Sequence, residues 1–385
     1  MLKIIHHCTK MRIFTWACPI LILLALSACD DLAEQSGGVI DLSSGGDGNY
    51  PYSVVIGGGL SETLSVLIVK GTDDFQLYND VQKTGSGIQQ SLIHNEKLYT
   101  LCSLSNSLLS YSIKDLSILD ERSLGVGNNP VAMAFYGDKF VFTANLLTNT
   151  VDKYDLDDPS EAPVVIALPS DGAIPKNPGV GKSWARPSAL AVYGKRIFCA
   201  LGNLDSLYRA AGPSLLAVID PDANQVVQTS ILHGHDTVSL YLDGSTLYAI
   251  SAGDFDGTVG FVGNGTIEAI DADTLEIRQK LTLPGAPFVM AVTSDRKAYL
   301  GNGKEGIVLS FDLNTWEQLP SIDIRSHNNS FGVSFASALT IDVHDSLYVA
   351  EFNSDRLFVI DTKNGNRILS SFVVDDGPNT LSILP

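Results

Sequence analysis

Along the start of the chain, polar and apolar positions separate instead of alternating. Residues 14–26 form an almost unbroken apolar run of 13, and Lys3, Lys10 and Arg12 are the only charges ahead of it. That is the pattern of a secretory signal, with a charged start and a short hydrophobic segment. It falls short of the ~20 apolar residues a membrane-spanning helix needs. A Gly/Ser/Asp-rich stretch, "EQSGGVIDLSSGGDGNYP", then predicts a flexible tether. From there on the pattern changes to short runs of period-two alternation, broken by Gly, Asn and Asp, with no amphipathic helix between them. This predicts an all-β fold.

The runs repeat. Strands centred on an aromatic residue read "KLYTLCS", "KFVFTAN", "RIFCALG", "TLYAISA", "KAYLGNG" and "SLYVAEF". Their anchors Tyr99, Phe142, Phe198, Tyr248, Tyr299 and Tyr348 are spaced by 43, 56, 50, 51 and 49 residues. Each has a strand and tight turn before it, then a third strand that often ends on aspartate, then a fourth. Four antiparallel strands in such a period make the blade of a β-propeller. "YSVVIGG", "TLSVLIVKG" and "FQLYNDVQK" supply three strands of a first blade, and the terminal "NTLSILP" supplies its innermost one. The expectation is seven four-stranded blades, the first closed by strands from both termini, so that the ring has no free edge. The domains are then a signal peptide over 1–28, a tether over 29–50 and a propeller over 51–385.

Charge and cysteines narrow the function classes. The chain carries 25 Lys+Arg against 43 Asp+Glu, a net charge of −18, and without residues 1–28 the balance becomes 22 against 43. Such an acidic body repels nucleic acid, so no nucleic-acid partner is expected. Of five cysteines, Cys8 and Cys18 fall in the signal, Cys29 follows it, and Cys102 and Cys199 remain. The last two sit in second strands of non-adjacent blades and are expected to be buried thiols facing opposite sheet faces, not a disulfide.

Two resemblances follow from these residues. Leu26-Ser27-Ala28-Cys29, directly after the apolar run, resembles the bacterial lipobox. That resemblance implies cleavage before Cys29, a diacylglyceryl group on its sulfur, acylation of its amine, and anchoring of the chain to a membrane. The expected place is the cell envelope, periplasmic or at least extracytoplasmic. Asp30 resembles an inner-membrane retention signal of enterobacterial lipoproteins, and other lineages read that position differently. Met11 gives a more ordinary signal length than Met1. Within the ring, "VFTANLLTNTVDKYDL" and "LYVAEFNSDRLFVIDT" resemble the YVTN-type seven-bladed propeller repeat, with Leu201 and Glu351 in place of its asparagine and Ser112 in place of its aspartate. The resemblance spans residues 50–385 and implies the fold far more than an activity.

Candidate chemistry lies in the long loops. In such a blade the loops joining second to third strands and the blade-to-blade crossovers share one face. The four long loops, 169–186, 201–214, 251–266 and 325–336, all fall on it and mark it as the ligand or partner face. Lys182, Trp184, Arg186, Tyr208 and Arg209 form a basic and aromatic set that could hold an anionic or aromatic ligand. The plainer alternative is a tryptophan pinning a long loop among solvated cations. His233, His235 and His327, with Asp254 or Asp256, could bind a divalent metal, but a His-x-His pair is a weak motif, and solvated or turn-stabilising histidines are the commoner case. Asp155, Asp220, Asp271, Asp312 and Asp361 recur at one repeat position, so they are expected to build turns, not to catalyse. No nucleophile elbow, phosphate loop or His-Glu-x-x-His motif stands out. Two functions stay open. One is a membrane-anchored module that binds a protein partner or small ligand, and the other is a lactonase-like or metal-dependent enzyme with its site at the channel mouth.

Overall fold

The computed structural model describes Leu42 and residues 50–169, 171–258, 260–303, 306–325 and 335–384. Residues 1–28, Cys29 and His327 lie outside them. Seven four-stranded antiparallel sheets make up the described chain, with no helix among them, and a two-stranded hairpin, Phe255–Asp256 with Gly260–Phe261, rides on one loop. Blades 2 to 7 occupy residues 88–123, 130–167, 187–231, 237–283, 287–323 and 336–373. Blade 1 takes its outer strands from Tyr52–Gly58, Thr63–Gly71 and Asp74–Lys83 and its innermost strand from Pro378–Leu384. The closure read from the two ends of the sequence is therefore the one observed. Leu42, inside the span expected to be tether, is buried between blades 1 and 2, and its N–H donates to the Lys114 carbonyl.

A single core would be too large for this length. The ring instead divides its core into seven hydrophobic wedges, one at each blade–blade interface. Every aromatic anchor fills the wedge towards the following blade: Tyr99 packs with Met133 and Val141, Phe198 with Leu247, Tyr348 with Val54 and Leu67. Alternation along a pleated strand sends the intervening residues to the wedge behind. Cys102 packs there with blade 1 and Cys199 with blade 3. Both thiols thus face the preceding blade, and the expectation of opposite faces is overturned. The two sit two positions apart in the repeat, and a strand with period two returns them to the same side. Both are buried and free, and burial raises both thiol pKa values.

The recurrent aspartates do build turns. Asp220 Oδ1 accepts from the N–H groups of Asp222 and Ala223, and Asp271, Asp312 and Asp361 make the same pair of bonds two and three residues on. These donors hold the carboxyls of Asp220 and Asp271 below the usual range. At the opposite end of the blades, all seven innermost strands begin with a register shift, as between Pro187 and Ala189 or Thr237 and Ser239. A bulge there bends the strand where it meets the channel mouth.

Candidate functional site

The two long loops around blade 4 are one structure. Trp184 and Leu204 exchange backbone hydrogen bonds of 2.9 and 3.1 Å, Asn203 N donates to Ala185 O, and Gly202 N donates to Arg186 O. The Asn203 side-chain amide spans both loops, donating at 2.8 Å to the carbonyls of Pro175 and Pro213. Sequence spacing shows these segments as separate loops because their pairing is between irregular stretches with no periodicity.

This zipped layer sorts the five basic and aromatic candidates. Arg186 is the centre: its guanidinium lies 4.3 Å from the Tyr208 ring centroid and 5.4 Å from that of Trp184. Arg186 and Tyr208 are both buried, and Trp184 is half-buried. Nη1 donates to the Leu146 carbonyl at 3.0 Å, while Nε is buried without an acceptor. Burial lowers the Arg186 pKa. Arg209 is engaged elsewhere, its Nε and Nη2 donating to Asp205 Oδ2 at 3.0 and 2.7 Å. Asp205 Oδ1 also accepts from the N–H groups of Leu207 and Arg209, so that pair shapes its own turn. Lys182 is exposed on the loop surface.

Backbone geometry links this cluster to the histidine loop. The residue just before the innermost strand is left-handed in five blades: Gly87, Asn129, Arg186, Asp236 and Gly377, with φ of 69, 51, 52, 52 and 66°. Glycine and asparagine adopt this conformation at little cost, whereas a larger side chain is strained there. Arg186 and Asp236 therefore hold equivalent positions at the channel mouth on neighbouring blades. Between them sits Gly202, where an added Cβ would stand 3.2 Å from Asp236 Oδ1 and 3.5 Å from the Arg186 carbonyl.

The histidines of "HGHD" each take a carboxylate. His233 Nδ1 lies 2.7 Å from Glu268 Oε1, and Glu268, fully buried, also accepts from the backbone N–H groups of His233 and Gly234. Glu268 is a staple for the crossover, and it leaves His233 mostly exposed. His235 Nδ1 lies 2.7 Å from Asp254 Oδ1, and Asn264 Nδ2 donates to Asp254 Oδ2 at 2.8 Å. Asp236 has no donor to its carboxylate among the described residues. Its carboxyl is pushed up to about 7, first by burial and then by the charge of Asp254. Asp256 caps the hairpin turn, accepting from Thr258 N. Among the described residues no three His, Cys, Asp or Glu side chains come together to hold a metal ion.

Glu268, Asp236 and the Leu146 carbonyl were not singled out from the sequence. Glu268 did leave a signal. It lies three residues before the turn aspartate Asp271, where Ala217, Leu309 and Phe358 stand in other blades, so a charge occupies an apolar repeat position. Asp152 is at the same place in blade 3 and accepts from the Asn128 side chain of its own crossover.

No protein-family model matches the chain, and no curated protein matches it. Solved structures do. A "putative 6-phosphogluconolactonase" from Bacteroides fragilis superposes with a TM-score of 0.64 at 13% identity, over 89% of this chain and 100% of that one. Streptogramin B lyase gives 0.57 at 13% identity, covering 87% and 92%. Hydrazine synthase of Kuenenia stuttgartiensis gives 0.59 at 15%, covering 76% and 88%. At these identities the likeness is one of fold, and it agrees with the blades described above: the chain is a seven-bladed β-propeller.

Proposed function

We propose that this chain is a bacterial lipoprotein, acylated at Cys29 and held on the extracytoplasmic side of a membrane, whose propeller is a YVTN-type ring that binds a protein partner or small ligand through its crossover face. The observation that carries the binding role is the placement of exposed apolar side chains. Leu60, Leu104, Leu147, Leu207 and Val262 stand one in each second-to-third-strand loop of blades 1 to 5, and Val126 is 99% exposed in the crossover between blades 2 and 3. Of the other exposed apolar side chains, Val343 stands in a turn of the opposite face, and Ile118, Leu119, Val164, Val165, Val227, Ile231 and Val373 lie on the outermost strands. Single exposed apolar residues are ordinary, but a set repeated around one face favours a docking surface.

Two measurements test this. Labelled palmitate should enter the wild-type chain and not Cys29→Ser, and that variant should leave the membrane fraction. Photo-crosslinkers at Leu104, Leu147 and Leu207 should capture a partner in intact cells. The opposite face has its own cleft of about 260 Å³, lined by Tyr193, Lys195, Arg196, Asp220 and Asp273 among others. Crosslinks confined to Lys195 and Val343 would reverse the face assignment.

A second reading, an enzyme, is favoured by the His235–Asp254 pair at the channel mouth, a base oriented by a carboxylate. The names of two structural neighbours, a lactonase and a lyase, point the same way by fold alone. Saturable hydrolysis of gluconolactone that falls about 100-fold in His235→Gln would replace the binding reading. On the binding reading, hydrolysis stays at the uncatalysed rate in both proteins.

A further inference from the structure

Two arginines in this chain are buried to the same degree, each 8% exposed, and they are treated differently. Arg122 lies 4.9 Å over the Tyr154 ring and spends its terminal amino groups on three backbone carbonyls, those of Asp155, Asp158 and Glu161. It is a structural pin, with its donors answered by the loop it holds. Arg186 also stacks on aromatics, Trp184 and Tyr208, but makes a single side-chain hydrogen bond, to Leu146 O. Among the described residues no carboxylate pairs with it, and its Nε has no acceptor.

The unused donors are not scattered. With Nη1 turned to Leu146, what remains free is the edge of the guanidinium formed by Nε–H and Nη2–H. Those two parallel donors match the two oxygens of a carboxylate, or two of a phosphate, in a bidentate pair. A buried unpaired charge is strongly destabilising, and contacts with two rings offset only part of that cost. The backbone carries a further cost, because Arg186 and Tyr208 both hold left-handed φ values, 52 and 58°. At the equivalent left-handed position the other blades that share it carry Gly377, Gly87, Asn129 and Asp236. In a chain of net charge −18, one cation without a partner, held between rings on the loop-rich face, is a place where an acidic protein accepts an anion.

We infer that Arg186, flanked by Trp184 and Tyr208, is the anchor of an oxyanion-binding site on the crossover face, taking a ligand that presents a carboxylate or phosphate to the Nε–Nη2 edge. The inference rests on the reading of that face as the binding face and names the chemistry of what it binds. The turn 205–209, fastened by the Asp205–Arg209 pair, holds Tyr208 over the guanidinium, and a ligand enters by displacing that ring towards solvent.

Succinate and inorganic phosphate, each titrated against the full-length protein at constant ionic strength with chloride as the control, distinguish the two sources. At least one should raise the melting temperature saturably and change tryptophan emission through Trp184. Arg186→Met, which keeps the volume and removes the charge, should weaken that binding at least tenfold, while Arg122→Met should leave it unchanged if the variant folds. Trp184→Phe should keep the thermal shift and lose the emission change. Equal binding by wild type and Arg186→Met overturns the inference, as does the lack of any saturable response to either anion. The two readings fail separately. Crosslinks on the opposite face with anion binding intact refute the partner face, and crosslinks on the crossover face without anion binding refute the site.

Discussion

Asn in place of Asp236 should stabilise the protein at pH 8 and make almost no difference near pH 4. The sign follows from the direction of the shift. The Asp236 carboxyl is pushed up to about 7 in the folded chain and returns to roughly 3.9 when the chain unfolds. Between those values the native state keeps a proton that the unfolded state has released, so stability falls as pH rises from about 4 to about 7. Above that the penalty is complete and constant. A shift of about three units corresponds to at most ~4 kcal/mol. Asp236 is only partly buried as a residue, so solvent screening brings the expected gain down to about 1–3 kcal/mol. Asparagine accepts the left-handed φ of 52° at this position, so the substitution isolates the charge. The check is a pair of denaturation series from pH 4 to 8. Parallel stability profiles for wild type and Asp236→Asn would show that Asp236 titrates normally. The comparison has to be made by difference. Asp171, Asp205, Asp323 and Asp361 are held below the usual range by their partners, and they make the whole protein less stable in acid.

Retaining an ionised, unbonded carboxylate next to Asp254 is a stability cost of the kind that clusters at functional sites. The same holds for Arg186 one blade away. These two residues also show where sequence reading stops. The ring itself was legible because its signal is repeated: six aromatic anchors, five turn aspartates, and three strands at one end that a single strand at the other completes, all report one period. Each misfit in one unit could be checked against the others. Arg186 and Asp236 report nothing of this kind, since the other blades carry Gly377, Gly87, Asn129, Ala286 and Phe335 at their position and the meaning of the two residues lies in φ, which spacing does not encode. The zipping of loop 169–186 onto loop 201–214 was hidden for a related reason. It depends on Asn203 and on the backbone of Trp184 and Leu204, two irregular loop segments that meet across the ends of the paired strands Pro187–Tyr193 and Arg196–Leu201. The two cysteines illustrate the opposite failure. Their register is written in the repeat, and an offset of two residues along a pleated strand keeps the same face, so the expected change of face contradicts the period itself.

Deleting residues 378–385 should remove the native fold, not merely weaken it. The strand Pro378–Leu384 pairs with Tyr52–Gly58 from Ser53–Leu384 to Gly58–Pro378 and is the innermost strand of blade 1. It is also the joint between its neighbours. Ser337 Oγ donates to Pro378 O at 2.6 Å from blade 7, and Asn379 Nδ2 donates to Ile88 O at 2.7 Å towards blade 2, where Ser382 Oγ also meets Ser91 Oγ at 2.7 Å. Leu381 and Ile383 pack in the wedge between blades 7 and 1, and Leu384 in the wedge between blades 1 and 2. At ~1.5–3 kcal/mol for each large aliphatic side chain, their burial alone contributes up to about 5–9 kcal/mol. That is comparable with the whole stability of an ordinary domain, about 5–15 kcal/mol. The deletion also bares the hydrogen-bonding edge of Tyr52–Gly58, a template for pairing with other chains. The truncated protein should therefore lack a cooperative thermal transition and elute as concentration-dependent aggregates. A synthetic peptide spanning 375–385, added during refolding, should restore the monomer by supplying the missing strand. A truncated chain that stays monomeric and melts cooperatively within about 5 °C of the full-length protein would mean that the ring is held by its wedges and not by its closure.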